Sequence, residues 1–156
     1  MITITTTADA AATTTEPVIV PGFEQPPWAR TAFRRSPDGG VCAEWLPVRH
    51  HAGFTDRAHG GILATLLDSA MVHALAAHGA LGVTGDLRVR YHRPVPLGIP
   101  VTVEAVVTGE SGPAYRVSAA ISSPDTVLVS AQATFVRGDF SPDFPLPSPL
   151  KSPRHA

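Results

Sequence analysis

Residues 59–77, HGGILATLLDSAMVHALAA, constrain the fold more than any other stretch. Ile62, Leu63, Leu66, Leu67, Ala70 and Met71 recur at helical spacing, which predicts a buried helix from about Gly60 to Ala77. Gly79 is a natural stop. No second segment repeats this pattern, so the helix has no helical partner within the chain. A helix this apolar cannot be left to solvent, and whatever else the chain forms must wrap around it. Asp68 lies inside the run and His59-Gly60-Gly61 opens it, two features that packing alone does not call for.

After the helix the period changes from 3.6 to 2. In TGDLRVRYHRPV, Leu87, Val89 and Tyr91 alternate with Arg88, Arg90 and His92, as in a half-buried strand. PVTVEAVVTGE, AYRVSAAISS and TVLVSAQATFVRG continue as three more strands, with turns at Gly109–Pro113 and Pro124-Asp125. Turns this short join antiparallel neighbours, because a parallel crossover needs a dozen residues. Upstream, Gly39-Gly40 leads into a first strand, VCAEWLPV, and RHHAGFTDRA reads as a loop. The expected fold class is α+β, with a curled antiparallel sheet wrapped around one long central helix.

The expected domain is residues 41–138. Residues 1–16, mostly Thr and Ala, form an expected disordered tail, and 17–40 a Pro-rich arm on the surface, anchored by Phe23, Trp28 and Phe33. Residues 139–156 form a Pro-rich tail, extended or disordered. The N-terminus has no basic region and no continuous apolar stretch of a secretory signal, and no apolar run reads as long enough to span a bilayer. A formal net charge of -1 offers no basic face to nucleic acid or to an anionic membrane. Cys42 is the only cysteine, which excludes an internal disulfide; this fits the expected cytoplasmic location and equally a secreted protein without bridges. Of the seven histidines, His50, His51 and His59 are near each other in sequence, but no metal-site spacing accompanies them. Neither a metal nor a cofactor is expected, and the motifs of serine hydrolases and P-loop enzymes are missing.

HGGILATLLD followed by LRVRYHRPVPLG, in this order of elements, resembles the hotdog-fold acyl-CoA thioesterases. The likeness is closest to the phenylacetic-acid-pathway and 4-hydroxybenzoyl-CoA types, and covers roughly residues 41–138. It implies hydrolysis of an acyl-CoA or acyl-carrier-protein thioester. The chemistry of the motif agrees. A helix start has unpaired N–H groups and a positive dipole end, and two glycines let an oxygen approach them closely. Gly60 and Gly61 are the oxyanion-hole candidates, and the resemblance assigns that part to the Gly60 N–H, with His59 orienting the thioester or the loop. Asp68 supplies a general base or nucleophile, its charged form desolvated by apolar neighbours.

Eight residues of helix separate Gly60 from Asp68, roughly 12 Å at 1.5 Å per residue, too far to serve one carbonyl. Two antiparallel helices from two subunits bring them together. A homodimer is therefore expected, and a dimer of dimers by resemblance. Relatives carry an Asn or Gln six or seven residues before the motif histidine, where this chain has Gly53 and Ala52; His51, Thr55 or Asp56 are candidate substitutes. Thr84 matches the Ser or Thr that holds the attacking water in some relatives. Val72 stands where the 4-hydroxybenzoyl type has Thr one turn after the acid, which favours water activation. Arg88, Arg90 and Arg93 are candidates for the CoA phosphates, or a solvated strand face. The alternative reading is a non-catalytic hotdog protein that binds an acyl or aromatic ligand in the tunnel between subunits.

Overall fold

A computed structural model describes residues 16–138. The apolar run forms α1 (Gly60–Ala77). At its far end Gly79, at φ +89°, turns the chain so that Gly79 and Ala80 donate to the carbonyls of Ala76 and Leu75, both at 3.0 Å. These two bonds make a Schellman cap. Leu63, Leu66, Leu67, Ala70, Met71, Ala74 and Leu75 are buried, and each leucine so removed from water contributes about 2 kcal/mol.

Eight strands follow the chain: β1 (Arg34–Arg35), β2 (Val41–Trp45), β3 (Ala52–Phe54), β4 (Arg57–Ala58), β5 (Gly82–Tyr91), β6 (Val101–Ser111), β7 (Ala114–Ser122) and β8 (Val127–Arg137). Six of them build one antiparallel sheet in the order β1-β2-β6-β7-β8-β5. The sheet packs its inner face on α1, with Val41, Trp45, Val103, Tyr115, Val117, Ile121 and Phe135 in the shared core. This is the hotdog arrangement expected from the sequence. By length and composition α1 could cross a membrane, contrary to the reading of the sequence; here it is a core helix, with its apolar side taken by the sheet.

The stretch 49–58, read as a loop, carries more structure than that. It forms a single 3-10 turn at Arg49–His51 and then the hairpin β3–β4. Strands of two or three residues are too short to show a period. The first strand ends at Trp45, short of the expected Val48; Pro47 has no N–H to continue the ladder.

Residues 17–33 lie against the C-terminal half of α1. Ala29 and Phe33 are fully buried, and Phe33 and Phe23 pack on the His73 ring with centroids 4.8 and 5.8 Å away. Gln25 and Thr31 exchange two hydrogen bonds, of 2.8 and 2.9 Å, that close the intervening loop. His73 donates from Nδ1 to the Ser69 carbonyl at 2.6 Å, which leaves Nε2 as the acceptor facing the Gln25 amide at 3.4 Å. Burial pulls the His73 pKa below its ordinary value. The two expected tails lie outside the described residues, apart from Glu16.

β5 occupies one edge of the sheet, with β8 on one side only. Leu87, Val89 and Tyr91 stand opposite Ala133, Ala131 and Val129, all buried, and so face α1. Arg88 and Arg90 pair with Gln132 and Ser130 on the outer face. The register shifts between Thr84 and Asp86, so Gly85 is an extra residue and Thr84 pairs with the fully buried Phe135. Strict alternation would turn Thr84 outward with Asp86, Arg88 and Arg90; the bulge turns it inward.

Candidate active site

The first turn of α1 has four N–H groups without helical partners. Ile62 and Leu63 donate to the His59 carbonyl, at 3.0 and 3.1 Å. Gly61 donates to His59 Nδ1 at 2.9 Å, which places the ring proton on Nε2. Gly60 N–H has no partner among the hydrogen bonds of the described residues. Because the His59–Gly60 peptide is trans, a carbonyl aimed into the helix aims this N–H outward. Of the two expected oxyanion donors, Gly61 is taken by the histidine cap and Gly60 is open.

Asp68 is half-buried two turns along the same helix. Thr84 donates its hydroxyl to Asp68 Oδ1 at 2.7 Å. That bond depends on the bulge at Gly85, and it leaves Oδ2 without a protein partner among the described residues. A fixed carboxylate with one open oxygen can accept a proton from water or attack a carbonyl directly.

The structure brings His59, Gly60 and Gly61 together at one end of α1 and pairs Asp68 with Thr84 further along. It does not join these two groups within one chain. His51 is committed elsewhere: Nδ1 accepts from the Val48 N–H at 2.9 Å, Nε2 donates to the Trp28 carbonyl at 2.6 Å, and the ring packs on Trp45. It pins residues 17–33 to the domain. Asp56 pairs with Arg57 at 2.8 Å, and the guanidinium holds its carboxyl below the usual range. Arg88 and Arg90 are exposed on the outer face, and Arg93 is exposed just beyond β5. At Gly53, one of the two positions where the resemblance implied an amide, a Cβ would lie 3.0 Å from His59 Cα and 3.3 Å from its Cβ, so a side chain there needs His59 to give by a few tenths of an ångström.

Sequence reasoning passed over Tyr91. Its hydroxyl donates to the Gly60 carbonyl at 2.7 Å, and burial raises the pKa of the phenol. The available signal was positional: Tyr91 is the last inward residue of the alternation through Leu87 and Val89.

One helix held in an antiparallel sheet, with an open N–H at the helix start and a hydrogen-bonded carboxylate two turns on, defines a hotdog domain with groups suited to acyl transfer. The family model of the thioesterase superfamily matches residues 56–112, and the relatives and the fold indicate the same superfamily. Acyl-coenzyme A thioesterase 13 of Mus musculus is 32% identical over 88 residues, which are 55% of this chain and 62% of that protein. The crystal structure of a thioesterase superfamily protein is similar with a TM-score of 0.67 and 31% identity, over 69% of this chain and 56% of that one. A Streptococcus mutans protein crystallised with acetyl-CoA has the same fold, with a TM-score of 0.65 and 17% identity over 70% of this chain and 89% of that one. The chain thus spans 62% and 56% of the first two relatives, short of two thirds of either.

Proposed function

We propose that the chain hydrolyses acyl-CoA thioesters at sites shared between the two subunits of a homodimer. The observation that carries this reading is the open Gly60 N–H at a helix start whose neighbouring N–H groups are all capped. Gly60 N–H receives the developing oxyanion, and Asp68 of the other subunit activates water through its free Oδ2 while Thr84 holds Oδ1. Asp68 acting as the nucleophile is the variant of the same scheme. The thioesterase activity named for the mouse relative and the acetyl-CoA held by the Streptococcus mutans protein support CoA esters as the substrate class. An acyl-carrier-protein thioester presents the same bond.

The assembly follows from β5. It is a ten-residue edge strand, exposed along most of its length, of a kind that soluble proteins cover or pair. Thr84 near its start reaches Asp68, and Tyr91 at its end reaches Gly60. Antiparallel pairing of two β5 strands about a two-fold axis sets the Thr84 end of each beside the Tyr91 end of the other. Asp68 of one chain then comes toward Gly60 of its partner. A further pairing of dimers, and a cytoplasmic location, are part of the proposal. Arg93 lies at the Gly60 end of β5, and Arg88 and Arg90 on the outer face; these three are the proposed contacts to CoA phosphates.

Thiol release from a panel of short, long and aromatic acyl-CoAs tests the activity. Wild type should turn over at least one of them, and Asp68→Asn should bind the same substrate but lose about 10²–10⁴-fold in kcat. Gly53, which supplies no amide, favours one other reading: a protein that binds acyl or aromatic ligands without cleaving them. Tight acyl-CoA binding with no thiol released by wild type would establish it.

A further inference from the structure

We infer that Tyr91 is a positioning residue for the oxyanion donor, clamping the Gly60–Gly61 peptide from the end of β5. The inference rests on the thioesterase reading and adds to it a residue outside the histidine–glycine motif.

Two adjacent glycines at a helix start are the least constrained backbone the chain can place there. A donor catalyses well only if its direction is set before the reaction begins. Two peptide units meet at the Gly60 Cα. The first, His59–Gly60, carries the open N–H and is held by the bonds from Ile62 and Leu63 to its carbonyl, 3.0 and 3.1 Å long. The second, Gly60–Gly61, has its N–H held by His59 Nδ1 at 2.9 Å and its carbonyl by the Tyr91 hydroxyl at 2.7 Å. The backbone on both sides of Gly60 is therefore fixed, and Tyr91 supplies the one bond that comes from outside the helix and its cap.

The ring contributes as well. A Cβ built on Gly60 would lie 3.4 Å from Tyr91 Cζ and 3.5 Å from Cε1, so the phenol covers the bare Cα and limits how far it can swing. Tyr91 reaches that position because Leu87 and Val89, four and two residues earlier on the same face, are packed on the core. Burial raises the phenol pKa, so the hydroxyl remains a donor throughout the neutral range. Tyr91 is nevertheless 50% exposed in the single chain. Its outer side borders the region where the Thr84 end of a partner strand would lie.

Tyr91→Phe keeps the ring and deletes the bond. Losing one neutral hydrogen bond from a preset geometry should lower kcat about fivefold to tenfold with KM within about twofold, and leave the shape of the pH profile unchanged. The Gly60 amide resonance should shift and exchange faster with solvent. Tyr91→Leu, which removes the ring too, should lose more. A purely structural tyrosine would lower the melting temperature of Tyr91→Phe and leave kcat at the wild-type value; that result overturns the inference while the thioesterase reading stands. An unchanged Gly60 amide signal in a folded Tyr91→Phe protein overturns it equally. If wild type releases no thiol from any acyl-CoA in the panel, the thioesterase reading falls and the role of Tyr91 falls with it.

Discussion

Replacing Gly60 by proline deletes the proposed oxyanion donor and little else. Gly60 is the first residue of α1, where proline is favoured because the N–H it lacks has no helical partner. The residue before a proline must be extended, and His59 already is, at φ -67° and ψ 132°. The new Cβ would meet Tyr91 at 3.4 Å, an ordinary contact, and the carbonyl that Tyr91 holds is retained. Gly60→Pro should therefore fold, and by stiffening the unfolded chain it should gain up to about 1 kcal/mol in stability. Loss of one oxyanion donor should lower kcat by about 10²–10³-fold. Thiol release at saturating acyl-CoA, alongside thermal unfolding of the same preparation, measures both effects. Wild-type turnover from a folded Gly60→Pro protein would refute the assignment of this N–H. A large fall in melting temperature would show that the N–H had a structural partner after all.

Mixing equal amounts of Asp68→Asn and Gly60→Pro subunits should restore about a quarter of wild-type activity, because random exchange makes about half the dimers mixed and each of these has one intact site of two. No recovery from verified mixed dimers would show that the two groups serve no common site. The His73 pKa lies below 6.5 in the fold, so the folded state favours the neutral ring. Its contribution to stability is complete above about pH 6.5 and is lost as the pH falls through the depressed folded value, at no more than about 1.4 kcal/mol per pH unit. Denaturant unfolding between pH 7 and pH 5, roughly, should show this slope in wild type and not in His73→Leu; equal slopes would rule it out.

What could be read from the sequence was periodic. α1 runs over the expected residues because eighteen residues of 3.6-period pattern end at a glycine that can adopt positive φ. Leu87, Val89 and Tyr91 face inward because alternation follows from strand geometry. The site was legible where chemistry stood out against that pattern, as with Asp68 in an apolar helix and a glycine pair behind a histidine. The remainder depends on contacts between segments distant in sequence. His51 was a candidate for the substrate, yet its two nitrogens are held by Val48 and Trp28, the latter more than twenty residues upstream. Thr84 was named by likeness to relatives, while its even number put it in phase with Arg88 and Arg90; only the register shift shows how it reaches Asp68. Tyr91 read as one more apolar position, since nothing local says that a helix start lies within reach of its hydroxyl.

Gly85 divides β5 into two lengths whose faces are counted separately. From Asp86 onward, odd-numbered residues point at the helix; before it, an even-numbered residue does. The composition of the extra position matters little, because a Cβ there would meet the Thr134 carbonyl oxygen and a Val136 methyl at 3.4 Å, both ordinary contacts. What matters is that it stays outside the ladder. Were Gly85 drawn into the ladder opposite Phe135, Thr84 would turn out to solvent and no hydroxyl would stand beside the acid; excising Gly85 would instead leave Thr84 directly before Asp86 and still opposite Phe135. This part of the chain should thus accept loss of Gly85 as well as its substitution, and among related sequences the number of residues between the threonine and the regular part of the strand is free to vary only where an extra residue is bulged out of the ladder.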